Sequence, residues 1–315
     1  MSRSLVKRWG YRLMRIIFTV ILNYNNYNDT KCCIDSLFNI EGPNKYKNKI
    51  IVVDNCSSDG SGEQIRTNYG DRIIYIASNL NCGYAAGNNI GIKYALEHEA
   101  DYICVLNNDT VANEDFLLPC INYLEQNENV GFVSPTIMNY EDNLVQSTGG
   151  DIVFKKGLVT VKNNGDKIDG LPETIESDYL GGACLIFRSS LVKKIGMIPE
   201  NYFLFFEETE WCWKAKIQGL QNICITTASI KHKGSASIDT INGLHAYLME
   251  RNRVVFLKRN SPNRLIYMLA ISFLILKYIK KGTLENKEYF NYLLFMRDGI
   301  KNIVDSKYPF IYIRN

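Results

Sequence analysis

The amino-acid sequence predicts an α/β fold with a mostly parallel central sheet flanked by helices. Short apolar, β-rich runs alternate with helical stretches through the first third of the chain. These runs are continuous rather than alternating in polarity, as expected of strands that are covered on both faces. The 315 residues suffice for a full α/β core. Strand–helix alternation of this kind implies parallel strands.

The elements are predicted in the following order along the chain. Ile16–Leu22 is a continuous β-rich run that polar residues follow directly, so it indicates a buried strand rather than an export signal. The other predicted strands are Ile50–Asp54, Ile73–Ala77, Tyr102–Leu106 and Ala183–Phe187. The predicted helices are Thr30–Phe38 (capped by Asn28 or Asp29), Ser61–Asn68, Tyr84–His98 and Thr209–Gln218. Asn139–Thr174 predicts a polar excursion with a hairpin, and the chain after Gly243 predicts helices.

Composition excludes several classes of protein. The 36 basic and 33 acidic residues give a net charge of +3, which is too small to indicate a nucleic-acid partner. The nine cysteines are odd in number, and most lie within apolar runs. We therefore expect reduced thiols in a cytoplasmic protein, and neither a disulfide framework nor a zinc site.

Polar side chains follow three of the predicted strands where each one ends. Ligands of open parallel sheets bind at the carboxyl ends of strands, so these residues are candidates for a binding site. Asp54, at the end of the second predicted strand, could accept the N–H of a pyrimidine base. Asp109, which follows the fourth predicted strand, could bind Mg²⁺ or Mn²⁺. Taken singly, each group also fits an ordinary turn. The candidates are Asn23 and Tyr24, then Asp54 and Asn55, then Asn107, Asn108 and Asp109.

A glycine-rich turn opens the third predicted helix. Small residues at such a junction let backbone approach a ligand, and a helix N-terminus favours phosphate. Gly83, Gly87 and Asn88 are therefore candidates for binding a phosphate-containing ligand. The G-x-G-x-x-G spacing of dinucleotide-binding proteins is absent, so the turn alone is weak evidence.

Acidic and aromatic residues are interleaved from Phe203 to Lys214. Apolar surroundings raise the pKa of a carboxyl group, which is how a general base is prepared, so Glu207, Glu208 and Glu210 are candidates. The alternative is an amphipathic helix with acids in its first turn. His232, after a further predicted strand, is either structural or a metal ligand.

Taken together and in order, these motifs resemble glycosyltransferase family 2, in particular its rhamnosyltransferase-like members, over roughly residues 15 to 255. The resemblance implies a GT-A fold and an inverting transfer from a nucleoside-diphosphate sugar, dTDP-rhamnose or a UDP-hexose, to a polysaccharide or lipid-linked glycan. It implies that Asp54 holds the base, that Asp109 and His232 bind Mg²⁺ or Mn²⁺, and that Glu208 is the general base.

The sequence departs from the family pattern at two positions. Asn107 stands where the metal-binding triplet usually begins with an acid, so one carboxylate ligand is missing. The acidic pair is Glu-Glu where Glu-Asp is common, which leaves Glu207 and Glu210 as competitors of Glu208. Two other functions remain open at this point: a sugar-phosphate nucleotidyltransferase and a non-catalytic sugar-nucleotide-binding protein.

The domain prediction divides the chain near residue 260. Residues 1–260 would form the transferase domain, with a nucleotide half at about 15–112 and an acceptor half at about 113–260, and 261–315 a helical extension. Leu265–Leu276 is apolar, flanked by Lys and Arg, and too short to span a bilayer. It is either a core helix or an interfacial helix, so peripheral contact of 261–281 with the inner face of the cytoplasmic membrane is expected as one of two outcomes. The sequence carries no signal for oligomeric state.

Overall fold

The structure, a computed structural model, describes residues 14–40, 46–234 and 243–304. A ten-stranded mixed sheet crosses the molecule between two layers of apolar side chains, and a two-stranded hairpin lies beside it. The strands are β1 Arg15–Asn23, β2 Tyr46–Asp54, β3 Ile74–Ala77, β4 Tyr102–Asn107, β5 Thr110–Val111, β6 Val130–Asn139, β7 Val145–Ser147, β8 Gly150–Val153, β9 Leu158–Val161, β10 Thr174–Ser177, β11 Cys184–Arg188 and β12 Gln221–His232. The helices are α1 Tyr27–Phe38, α2 Ser61–Tyr69, α3 Gly83–Glu97, α4 Leu117–Gln126, α5 Leu191–Ile195, α6 Glu207–Ile217, α7 Leu244–Asn260, α8 Arg264–Leu284 and α9 Tyr289–Lys301.

The first half of the sheet is parallel, as the strand–helix alternation predicts. Its order is β4-β1-β2-β3. Asn23 lies opposite Asp54 in the register of β1 and β2, and Leu22 lies opposite Asn107 in that of β1 and β4. The prediction that these three strands end at one edge of the sheet is therefore confirmed.

The second half brings a fourth strand end to the same edge. β11 runs antiparallel to β4, β6 antiparallel to β11, and β12 parallel to β6. β12 therefore points in the direction of β4. β5, which begins directly after Asp109, pairs with the end of β12 so that Thr110 lies opposite His232. This pairing brings His232 to the predicted metal-binding triplet.

The predicted cap of α1 is wrong in detail, and Gly87 has a packing role that the sequence did not indicate. Asn26, and not Asn28 or Asp29, caps α1, because its side chain accepts a hydrogen bond from the Asp29 N–H. Gly87 faces the sheet: a Cβ added there would come within 2.4 Å of the Leu22 side chain. Gly87 is thus required for close packing of α3 on β1, and the predicted donor contact at this position is not supported.

The predicted hairpin in the polar excursion is confirmed, because β8 and β9 pair there. The nine cysteines are free thiols in this structure.

The C-terminal helices pack together and against the segment before α6. Buried residues of α7, α8 and α9 share one apolar cluster with Tyr202 and Phe206, which precede α6. α8 buries one stripe, Ala270, Leu274 and Tyr278. Among the helices that the structure describes, none combines the length and the apolar character needed to cross a membrane.

Candidate active site

The predicted base-binding carboxylate is embedded in a hydrogen-bonded cluster. Oδ1 of Asp54 accepts from Nδ2 of Asn23 at 2.7 Å and from the Ser57 hydroxyl at 2.6 Å. Oδ2 accepts from the Ser57 backbone N–H at 3.2 Å. Asp54 is only 6% exposed. The turn role that sequence reasoning assigned to Ser58–Ser61 therefore extends to Asp54, while Oδ2, with one hydrogen bond in the described part of the chain, retains capacity for a further donor.

Asn23 positions Asp54 rather than facing the cleft. Its side chain is fully buried, its Nδ2 also contacts the hydroxyls of Ser57 and Ser61, and its Oδ1 accepts from Thr30. Asn108 donates to the same Thr30 hydroxyl at 2.9 Å. A continuous hydrogen-bonded chain thus joins the Asp54 region to the predicted triplet that contains Asn108. Tyr24, by contrast, is exposed to solvent at this edge.

The glycine-rich turn packs against the backbone of Phe203, and two buried amide oxygens near it have no hydrogen-bond partner among the described residues. Gly83 has a φ of +87° and packs against the backbone of Phe203, whose carbonyl accepts from the Tyr84 N–H. Asn55 donates to the Asn81 side chain. Oδ1 of Asn55 and Oδ1 of Asn88 are buried without a hydrogen-bond partner among the described residues. Because buried acceptors are normally paired, these two atoms are available to a ligand or to water.

His232 and Asp109 are neighbours at the carboxyl ends of β12 and β4. Nε2 of His232 lies 3.2 Å from Oδ1 of Asp109, and both side chains are largely buried. Nδ1 of His232 lies 2.6 Å from Oε1 of Gln146 in β7, which can only accept. A proton on Nδ1 would satisfy this contact, and Nε2 faces Asp109. Nδ2 of Asn107 lies 3.4 Å from the same Nε2 atom.

The Asp109–His232 pair fits a divalent cation. Two ligands in neighbouring positions of an octahedral site with bonds of roughly 2.1 Å lie about 3 Å apart, close to the observed separation. Nitrogen and carboxylate oxygen are both suitable donors. No third His, Cys, Asp or Glu joins them within residues 14–40, 46–234 and 243–304. The remaining positions would fall to substrate phosphates and water, as is usual for Mg²⁺.

The segment Phe203–Phe206, which we call the acid loop, presents the acidic residues at the start of α6. Phe205 and Phe206 both have positive φ, at 72° and 76°. Two consecutive non-glycine residues in this region are strained, and such strain persists only where surrounding contacts enforce it. The loop therefore fixes where α6 begins and where Glu207 and Glu208 point.

Glu207 and Glu208 are neighbouring carboxyl groups with different surroundings. Glu207 is buried, and its Oε2 atom has no hydrogen-bond partner among the described residues. Burial and the neighbouring Glu208 charge raise the pKa of Glu207 well above its ordinary value. Burial raises the pKa of Glu208 to about 7. Glu208 is only partly covered and lies beside Gly182. A carboxyl group with this pKa can take up a proton near neutral pH.

Glu210 has a structural role. Its carboxylate accepts hydrogen bonds from Tyr202 at 2.6 Å, from Arg259 at 3.0 Å and from Asn260 at 3.1 Å. Burial acts to raise the pKa of Glu210, but these donors outweigh burial and hold the pKa below its ordinary value. The prediction that Glu210 competes as general base is therefore not supported.

The segment before β11 connects the acidic residues to the predicted triplet, Asn107–Asp109. The Asn107 N–H donates to the Ala183 carbonyl at 2.9 Å. A Cβ at Gly182 would contact Cγ of Glu208 at 3.4 Å, and the Gly182 carbonyl accepts from the Tyr84 hydroxyl. The predicted triplet and acidic pair thus border the same short segment.

Comparison with known proteins identifies the chain. The sequence model of glycosyl transferase family 2 matches residues 19–196, which is more than half of the chain. The chain belongs to glycosyl transferase family 2. It is a glycosyltransferase, so the nucleotidyltransferase and the non-catalytic alternatives are set aside.

Two relatives and one solved structure extend this identification. The low-salt glycan biosynthesis hexosyltransferase Agl10 of Haloferax volcanii is 28% identical over 77% of this chain and 75% of its own length. The dTDP-rhamnosyl transferase RfbF of Shigella flexneri is 24% identical over 91% of this chain and 96% of its own length. The crystal structure of GalNAc-T7 with UDP, GalNAc and Mn²⁺ has a TM-score of 0.61 at 13% identity, over 95% of this chain and 56% of that one. The GT-A fold is thereby confirmed.

Gln146 is a partner of His232 that sequence reasoning missed. It lies in the polar excursion, where no periodicity or motif distinguishes it. It reaches His232 because β7 pairs with β6, the neighbour of β12. The one signal in the sequence is indirect, since a metal-binding histidine usually donates its second ring N–H to an oxygen acceptor.

Proposed function

We propose that this glycosyltransferase is inverting and that Glu208 is its general base. Glu208 takes the proton of an acceptor hydroxyl while that oxygen attacks the anomeric carbon of the donor sugar. The sugar–diphosphate bond breaks on the opposite face, so the configuration inverts. The observation that carries this proposal is the partly covered position of Glu208 beside Gly182, with a pKa of about 7 caused by burial. Glu207 and Glu210 are less suitable because one is buried and the other is fully paired.

Asp109 and His232 would hold Mg²⁺ or Mn²⁺, with Gln146 fixing the histidine ring. The 3.2 Å separation of Oδ1 and Nε2 supports this assignment, as does the presence of Mn²⁺ in the GalNAc-T7 structure. When bound, the cation would neutralise charge on the departing diphosphate. Asn107 cannot supply the carboxylate that usually opens the triplet, so its amide contributes a contact to His232 instead.

The donor is proposed to be dTDP-rhamnose or a UDP-hexose. Oδ2 of Asp54 would accept the N–H of the pyrimidine base, with Asn23 holding the carboxylate in place. Asn55 and Asn88 would complete donor binding through their unpartnered oxygens. The similarity to a dTDP-rhamnosyl transferase over almost its whole length supports rhamnose, and the similarity to a hexosyltransferase supports a hexose.

The acceptor is proposed to be a polysaccharide or a lipid-linked glycan, met at the inner face of the cytoplasmic membrane. α8 turns a stripe of apolar side chains outward, and Leu265 and Leu276 are 65% and 67% exposed. The sequence places Arg264, Lys277, Lys280 and Lys281 around this stripe. Such a helix suits an anionic membrane surface. We retain residues 15–112 and 113–260 as the proposed nucleotide and acceptor halves.

A donor screen tests the proposal. dTDP-rhamnose, UDP-glucose and UDP-N-acetylglucosamine are each incubated with the protein, with and without Mn²⁺, and nucleoside diphosphate release is measured. We expect Mn²⁺-stimulated release from one of these donors and its loss in Glu208→Gln. A Glu208→Gln protein with normal turnover would refute the base assignment, and turnover unaffected by a chelator would refute the metal assignment.

A further inference from the structure

Every carbonyl of the acid loop is held by a named donor. The Phe203 carbonyl accepts from the Tyr84 N–H at 2.9 Å, and the Phe206 carbonyl accepts from the Glu210 N–H at 2.8 Å. The two carbonyls between them, of Leu204 and Phe205, accept from one side chain, Nδ2 of Asn252 in α7, at 2.8 and 3.2 Å. The strained part of the loop is therefore fixed by Asn252.

Asn252 is itself held by its neighbour in the sequence. Its side chain is completely buried, and its Oδ1 accepts from the guanidinium of Arg251 at 2.6 Å. This bond fixes the orientation of the amide, so that Nδ2 points toward the acid loop. A single buried amide thus joins an arginine on one side to the carbonyls of Leu204 and the strained Phe205 on the other.

The same guanidinium binds the end of α9. Nε of Arg251 donates to the Ile303 carbonyl at 2.9 Å, and a terminal nitrogen donates to Oδ1 of Asn302 at 3.3 Å. Asn302 terminates α9 in a left-handed conformation. A cation at the carboxyl end of a helix interacts favourably with its unpaired carbonyls. α9 and α7 also approach closely, since a Cβ at Gly299 would come within 2.4 Å of the Arg251 carbonyl.

We propose that Arg251 and Asn252 are positioning residues for the transfer reaction, which connect the carboxyl end of α9 to the acid loop and thereby orient Glu208. The C-terminal helices are then part of the catalytic unit. The proposal rests on the assignment of Glu208 as general base. It explains how two consecutive phenylalanines remain at positive φ directly before the acidic pair.

The test compares Asn252→Ala, Arg251→Met and the milder Asn252→Ser with a matched control, Arg188→Met. Arg188 also donates to backbone carbonyls, those of Leu124, Asn127 and Val130, but it lies opposite Tyr102, where β4 begins, at the sheet edge away from the site. All variants should lose stability. The measurements are the kcat for nucleoside diphosphate release from the donor that the screen selects, the Kd of UDP by calorimetry, and amide hydrogen exchange of residues 203–210.

We expect kcat to fall about a hundredfold in Asn252→Ala and Arg251→Met, because a displacement of about 1 Å in a catalytic group costs that much. In these two variants the Kd of UDP should stay within about twofold of the unsubstituted value, and amide exchange should accelerate in residues 203–210. Arg188→Met should leave both the exchange of these residues and kcat unchanged. Asn252→Ser should lie between. Equal kcat and equal exchange in the Asn252 variants and the control would overturn the proposal. If Glu208→Gln turned over normally, the base assignment would fail instead, and faster exchange in the Asn252 variants would still establish the connection between α7 and the loop.

Discussion

His232 directs one ring nitrogen to Asp109 and the other to Gln146. Nε2 lies 3.2 Å from the Asp109 carboxylate, and Nδ1 lies 2.6 Å from the Gln146 amide oxygen. A proton on Nδ1 would satisfy the amide oxygen and leave Nε2, on the Asp109 side, able to bind a cation.

Gln146→Leu should weaken metal binding by about 10- to 100-fold, the usual effect of losing the partner of a ligating histidine. Gln146→Glu, which still accepts from Nδ1, should bind close to normally. The measurement is calorimetric titration of Mn²⁺ in the presence of UDP. Gln221→Leu is the control, since Gln221 lies at the opposite end of β12 and bonds Glu176. Unaltered Mn²⁺ affinity in Gln146→Leu would contradict a role for this residue.

The sequence predicted the Asp109–His232 pair through motif order, but the connection to Gln146 depends on long-range pairing. β6, the strand that carries β7, was not predicted. It contains Gly131 and Pro135, and proline lacks the N–H that an interior strand needs. In the structure Pro135 lies opposite Ile225, at the edge of an irregularity in the β6–β12 register. The irregularity accommodates the proline, and no local pattern announces it.

The alternation of strands and helices along the sequence was sufficient to predict the parallel strands. It was insufficient to distinguish the roles of chemically similar residues. Glu207, Glu208 and Glu210 lie within one helical turn, and the sequence alone does not distinguish their roles. They differ because Arg259 and Asn260, about 50 positions later, reach Glu210, while Glu208 meets Gly182. Gly83 and Gly87 likewise read as a phosphate-binding turn, although Gly87 is required by the packing of α3 on Leu22. Such distinctions arise only in the folded chain.

Glu208→Gln should reduce kcat at least a hundredfold, because general base catalysis typically contributes that much, with the Kd of UDP little changed. In the unsubstituted protein Glu208 must be unprotonated to act. Its pKa is about 7 because of burial, so kcat should fall tenfold per pH unit below that value and level off above it. The pH profile of kcat at saturating donor checks this. A flat profile from pH 5 to 8 would argue against Glu208.

Glu207→Gln should retain most of the activity, in contrast to Glu208→Gln. Burial first, and the Glu208 charge second, raise the pKa of Glu207, so the group favours its neutral form, which glutamine mimics. A carboxyl group whose pKa is raised by folding stabilises the fold at low pH, where it is protonated. This stabilisation is lost as the pH rises through the pKa of the folded state. Melting temperatures should therefore decline less between pH 6 and pH 9 in Glu207→Gln than in the unsubstituted protein. Parallel declines would indicate that Glu207 is already ionised.

Glu210→Gln should cost stability and leave the pH profile of kcat unchanged. The substitution removes a charge that Arg259 and Tyr202 bind, at a cost of about 2 kcal/mol, moderated because Arg259 can reach water. Because folding lowers the pKa of Glu210, its charge stabilises the fold at pH values above the ordinary pKa of glutamate. This stabilisation is lost as the pH falls through the pKa of the folded state. Urea unfolding at pH 7 and pH 3.5 should show the deficit at pH 7 and a smaller one at pH 3.5. An altered acid limb of kcat would instead return Glu210 to the list of candidate bases.

The outward stripe of α8 should bind anionic vesicles, and the test must leave the inward stripe intact. Removal of residues after 260 would expose the cluster that α7 shares with α8 and α9, so any loss of binding could reflect unfolding. Leu269→Glu with Leu276→Glu changes only the outward stripe, where both side chains are well exposed. We expect the unsubstituted protein to float with phosphatidylglycerol vesicles at low salt and the double variant to remain in solution. Phosphatidylcholine vesicles should bind less, because they lack the negative surface charge that attracts Lys277, Lys280 and Lys281 of α8. This attraction is screened by salt, so the difference should be largest at low salt. Equal flotation of the two proteins would assign membrane contact to another part of the chain, and flotation of neither would leave α8 without a role at the bilayer.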